Sequence, residues 1–126
     1  MPYEIVDISN PDVVQRVWEK GIIVDNYNPS LYRKDSAGAW IARNAYGDRD
    51  NVLGWEIDHV YPKAKGGLDH FVNLRPMNWR NNDSKADDYP GYVAAMVSDG
   101  NRNILKDTPK TVNVTLKDEL DRLYNI

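Results

Sequence analysis

Apolar residues fall at Val13, Val14, Val17 and Trp18, the spacing that lines one face of a helix. Asn10-Pro11 just before them reads as a helix start, with Asn10 as N-cap and Pro11 as the first helical residue; Gly21 is the stop. Residues 24–38 are rich in Asn, Asp, Pro, Ser and Gly and are expected to be mostly loop. Residues 39–42 suit a short strand. Residues 55–60, Trp-Glu-Ile-Asp-His-Val, alternate and favour β structure, and Pro62 and Gly66-Gly67 end that strand. Residues 73–77 are expected to be extended but short, since Pro76 cannot donate within an inner ladder. Residues 79–87 are polar and fit a short helix. After Pro90 the pattern is weak until Thr115. There Thr115 and Asp118 form a capping-box-like pair, followed by Leu116, Leu120 and Leu123 at helical spacing. The expected class is α+β, with a strand, loop, strand and helix over 55–85 and further helices toward both ends.

Composition narrows the chemistry. With 126 residues, 41% hydrophobic and 28% charged, the chain is expected to be one soluble domain spanning 1–126. It has no apolar run near the ~18 residues of a membrane span. Its first residues lack a secretory pattern, so a cytoplasmic location is expected, with signal-independent secretion left open. The absence of cysteine excludes disulfides, a thiol nucleophile and thiolate zinc. With only His59 and His70, a three-histidine metal site within one chain is excluded. The net charge of −3 is unevenly spread: −3 over residues 1–30, +2 over 31–85 and −2 over 86–126. The middle of the chain is therefore the part best suited to a polyanion.

That middle also holds the candidate chemistry. Asp58-His59 closes the first strand, Asn73 opens the second, and Asn82 and Lys85 lie one turn apart on the short helix. A neutral imidazole such as His59 can deprotonate water near pH 7. The Asp58 carboxylate and the Asn82 amide oxygen are hard ligands suited to Mg²⁺ or Mn²⁺. Adjacent strand residues point to opposite faces, so Asp58 and His59 share a site only where regular strand structure ends. Glu56 lies on the Asp58 face by parity, as a further ligand or a support to one. Arg33, Arg75, Arg80 and Lys85 are candidates for phosphate contact. His70 is read as an ordinary loop histidine, and most aromatic residues as core.

Glu56-Ile57-Asp58-His59, Pro62, Gly66-Gly67, Asn73-Leu74, Pro76, Asn82 and Lys85 together resemble the HNH endonuclease motif, in the variant whose last histidine is asparagine. The intervals are 14 residues from His59 to Asn73 and 9 from Asn73 to Asn82. Both small bacterial HNH endonucleases and the HNH domain of CRISPR effector nucleases are similar. Weaker similarity upstream, at Val17-Trp18-Glu19-Lys20, Tyr32-Arg33-Lys34-Asp35 and Tyr46-Gly47, extends it over roughly residues 14–90. The resemblance implies a ββα-metal (His-Me finger) core, with the motif over 55–87, acting as a metal-dependent DNA endonuclease. In it His59 is the general base, Asp58 and Asn82 hold one divalent metal, and Asn73 braces the loop that carries His59. Many relatives also carry two Cys-x-x-Cys pairs for a structural zinc. Here Asn78 and Asn81 stand at one such pair, so no structural zinc is expected.

The rival expectation is a catalytically silent nucleic-acid-binding or interaction module with the same fold. DNA is the expected partner and a membrane is not; an inhibitory or immunity protein enters only if the chain is a toxin. Sequence preference, DNA against RNA, nicking against double-strand cleavage, oligomeric state and biological role are not encoded in these patterns.

Overall fold

The computed structural model describes residues 3–126. Among them the chain is a small α+β protein with three α-helices and three two-stranded antiparallel sheets. Helix α1 (Pro11–Trp18) starts as its sequence predicts: the Asn10 side chain accepts from the Asp12 N–H at 2.8 Å, and Asp12 lies near the positive helix end. Its apolar face buries Val13, Val14, Val17 and Trp18 against Ile41, Trp55 and Leu74. Trp18 and Trp55 pack with ring centres 5.3 Å apart. Burial of each such side chain is worth roughly 1.5–3 kcal/mol.

The expected loop over 24–38 contains a strand. β1 (Tyr32–Lys34) pairs with β2 (Trp40–Ala42). Three residues are too few to show a period, which is why the pattern missed it. The turn between them is built on Asp35, which is fully buried. One carboxylate oxygen accepts from the Ala37 and Ala39 N–H groups at 3.0 and 2.9 Å. The other accepts from the Asn78 N–H at 3.0 Å and the Asn81 amide at 3.1 Å. Asn81 in turn accepts from the Ala95 and Met96 N–H groups and donates to the Met96 carbonyl. Asn78 and Asn81 are thus hydrogen-bond links that tie three segments together.

β3 (Trp55–His59) pairs with β4 (Leu74–Asn78), with Asp58 opposite Arg75 and His59 opposite Leu74. Both strands are edges of a two-stranded sheet, so Pro76 fits without losing an inner ladder bond. α2 (Trp79–Lys85) follows directly, and Asn78 caps it by accepting from the Arg80 N–H at 3.0 Å. Asn73 lies in a short 3₁₀ turn just before β4 rather than opening the strand.

The weak stretch after Pro90 is a long hairpin, β5 (Gly91–Asp99) and β6 (Arg102–Thr111), packed on α2. Tyr92 and Ala94 point inward onto Met77 and Ala37. Their outward neighbours Val93, Ala95 and Val97 are apolar too, which erases the alternation. Asp99-Gly100 was the available signal, since Gly100 takes the turn at φ +62°. α3 (Val114–Tyr124) is capped by Asn113, not by the expected Thr115 pair: the Asn113 side chain accepts from the Leu116 N–H at 2.9 Å. It buries Leu120 with Val60, Tyr61 and Val112. No helix among the described residues is long and apolar enough to cross a membrane.

Candidate active site

The β3 end, the loop after it and α2 enclose a cleft of about 170 Å³, bordered by Asp58, His59, Lys63, Asn82 and Asp87 among others. Asp58 and His59 both border it, although His59 is still paired with Leu74 as the last rung of β3. A larger hollow of about 310 Å³ at Tyr27, Tyr32 and Trp40 has no carboxylate, imidazole or amine on its walls.

His59 is held by a residue that sequence reasoning missed. Its Nε2 lies 2.7 Å from Oδ1 of Asp69. A carboxylate only accepts, so Nε2 is the donor in this bond, and in the neutral ring the lone pair is on Nδ1. No protein donor reaches Nδ1 among the described residues. The loop bearing Asp69 is pinned on both sides. The Tyr124 hydroxyl accepts from the Leu68 N–H at 3.2 Å and lies 2.9 Å from Nδ1 of His70. The C-terminal helix therefore does more than pack.

Asn73 is buried and clamps the same loop. Its oxygen accepts from the Tyr61 N–H at 2.7 Å, and its amide donates to the Tyr61 and Leu68 carbonyls at 3.0 and 3.2 Å. Gly67 is required beside it, because a Cβ there would lie 1.9 Å from the Tyr61 carbonyl oxygen.

Asp58 is 3% exposed and faces two cations. Arg75 donates through Nε to Oδ2 at 2.9 Å, and the Lys85 ammonium stands 3.5 Å from Oδ1 while donating to the His59 carbonyl at 3.2 Å. Burial pushes the Lys85 amine below its ordinary value; Asp58 resists that shift and Arg75 adds to it. Nη2 of Arg75 is buried without a partner. As placed, Arg75 and Lys85 serve Asp58 rather than solvent.

Asn82 reaches the cleft from α2. Its amide nitrogen donates to Oε1 of Glu56 at 3.0 Å. Glu56 also takes two bonds from Arg49, at 2.7 and 2.9 Å, and Arg49 grips Asp83 at 2.9 and 3.0 Å. Burial opposes ionisation of Glu56, but Arg49 and the Asn82 amide outweigh it and hold the carboxyl below its ordinary value. Glu56 is thus a partner of Asn82 and does not border the cleft.

The other two candidate cations lie elsewhere. Arg33 spends its guanidinium on the Pro29, Glu19 and Gly21 carbonyls behind α1. Arg80 lies over the Trp79 ring at 4.5 Å. Neither borders the cleft.

Asp69 and Arg49 left no trace in the motif spacing, because each acts from a loop through another side chain. Chemically, the cleft is bordered by an oriented imidazole, one buried carboxylate and one side-chain amide. Among the described residues no group of three or more histidine or acidic side chains stands ready as a metal cage. Asp58 and Asn82 would supply two hard oxygens, leaving other positions of a divalent cation to water and phosphate. Comparison with protein-family models, curated proteins and solved structures finds nothing that matches this chain.

Proposed function

We propose that this chain is a metal-dependent endonuclease of the HNH type, hydrolysing phosphodiester bonds of DNA on a ββα-metal core formed by β3, β4 and α2. The observation that carries the reading is the His59 imidazole, oriented by Asp69 with Nδ1 free, in the same cleft as Asp58 and Asn82. His59 takes a proton from water as the water oxygen bonds to phosphorus and the bond to the leaving oxygen breaks. Asp69 offsets the positive charge the ring then acquires. Asp58 and Asn82 would hold one Mg²⁺ or Mn²⁺, which when bound stabilises the negative charge growing on the phosphoryl group. Asn73 keeps the loop, and with it His59, in register.

The test is a supercoiled-plasmid assay. The protein is expected to nick with Mg²⁺ or Mn²⁺, to stop in EDTA, and to lose at least ~10²-fold in rate as His59→Ala. Full nicking by His59→Ala would sink the mechanism. One observation favours a second reading, a silent binding module: Asp58 is already neutralised by Arg75 and Lys85. Metal-independent DNA binding, with no cleavage under any divalent ion, would decide for it.

A further inference from the structure

Asn82 poses a problem for any site that needs its oxygen. A side-chain amide has two faces of nearly equal shape, one an acceptor and one a double donor. If the amide turned over, it would present N–H groups to a cation and repel it. Asn82 sits on a short helix at the edge of an open cleft, so packing alone does not choose between the two.

The neighbouring side chains do choose. The Glu56 carboxylate can only accept, and it lies 3.0 Å from the Asn82 amide nitrogen. The reversed amide would set oxygen against oxygen there. Glu56 is itself fixed by Arg49, which holds it through two bonds and is anchored on Asp83, the next residue of α2. Among the described residues no protein donor reaches the Asn82 oxygen, so it remains available to a ligand, and Asn82 borders the cleft.

We propose that the Arg49–Glu56 pair is an orienting brace that sets the Asn82 amide with its oxygen toward the cleft, making Glu56 a positioning residue for divalent-cation binding and not a ligand. The inference rests on the reading of Asn82 as a metal ligand. Its logic is that of supports behind metal ligands in general, whose removal costs about 10- to 100-fold in metal affinity.

The experiment measures Mn²⁺ binding by the electron paramagnetic resonance signal of the free ion, with no DNA present. Variants are Glu56→Ala, Asn82→Ala, Asn82→Asp and the double variant Glu56→Ala/Asn82→Asp. Glu56→Ala is expected to weaken Mn²⁺ about tenfold. The decisive comparison is the double variant. The carboxylate introduced by Asn82→Asp has oxygen on both sides and needs no orientation. In that background removing Glu56 is expected to cost no affinity. An equal loss in both backgrounds would show that Glu56 acts by its charge or by general stability, and would overturn the brace. If Asn82→Ala weakens Mn²⁺ while Glu56→Ala leaves it unchanged, the brace also fails but the ligand reading survives. If Asn82→Ala itself leaves Mn²⁺ binding unchanged, the ligand reading fails and the brace with it. Circular dichroism and melting temperature check each variant's fold; should Glu56→Ala not fold, Glu56→Leu, which keeps most of the bulk but offers the Asn82 amide no acceptor, carries the same comparison with the same outcomes.

Discussion

Two buried aspartates meet α2, Asp35 through Asn81 and Asp58 through Lys85, and they are solvated in opposite ways. Asp35 is ringed by four N–H donors, three of them backbone, with no cation beside it. Burial pushes its carboxyl above the ordinary value, and the four donors pull against that shift. Asp58 has no backbone donor and two cations, one of which keeps a buried N–H group without a partner. Asp35 is fully buried and both its oxygens are used. Asp58 is held by two charged side chains, and it borders a cleft. A side chain whose partners are neutral and complete holds a fold together; one held by charged side chains beside open space can exchange a partner for a ligand.

The largest expected effect divides the two by metal response. In the wild type, Mn²⁺ at about a hundredfold excess over its Kd is expected to add ~2.7 kcal/mol of stability. Asp58→Asn is expected to abolish that gain and to slow nicking by ~10²-fold or more. Asp35→Asn is expected to keep the gain but to start from a fold weakened by ~2–4 kcal/mol, since its new amide faces donors with donors. Thermal melts of the three proteins with and without Mn²⁺ test this. A metal response lost in Asp35→Asn and kept in Asp58→Asn would invert the comparison.

A smaller effect concerns only the Asp58 side. Asp69 is partly exposed and touches His59 through a single bond. Asp69→Asn is expected to slow nicking roughly ten- to a hundredfold, because the amide can accept from Nε2 or donate to it and no longer selects one tautomer. Its melting temperature is expected to stay near that of the wild type. A rate equal to wild type would mean that His59 is oriented by the Asn73-clamped loop alone.

The contrast also explains what the sequence made legible. Asp58, His59, Asn73 and Asn82 are closely spaced along one strand, turn and helix, so local geometry brings them together and spacing reveals them. α1 was equally legible, because Asn10-Pro11 and the Val13 to Trp18 stripe are local signals. Asp35 entered only through the weaker upstream resemblance and showed no sign of its structural role, since its partners Asn78 and Asn81 are more than forty positions away. Asp69 and Arg49 act through other side chains from loops of no fixed spacing. The β5–β6 hairpin stayed hidden because both faces of β5 carry apolar residues, whereas most of β6 is exposed. What is set by long-range pairing leaves little periodic trace.

The smallest expected effect tests whether the open side also stores backbone strain. Ala86 ends α2 at the rim of the cleft with φ +48° and ψ −124°, a conformation that glycine adopts freely and alanine does not. Among the described residues the other two non-glycine positions with positive φ are Asn26 and Asn125, and asparagine tolerates that region. The cost at Ala86 is of order 1 kcal/mol or more, against a gain of ~0.4–1 kcal/mol that alanine brings by restricting the unfolded chain. Ala86→Gly is therefore expected to raise stability slightly, by up to ~1 kcal/mol, where glycine in an ordinary helical position would lower it by about as much. The sign of the change in a denaturant melt is the readout. A stabilised variant that nicks no faster would place the strain in the fold's support of the cleft rim; a destabilised one would show that the rim, like the surroundings of Asp35, is at ease.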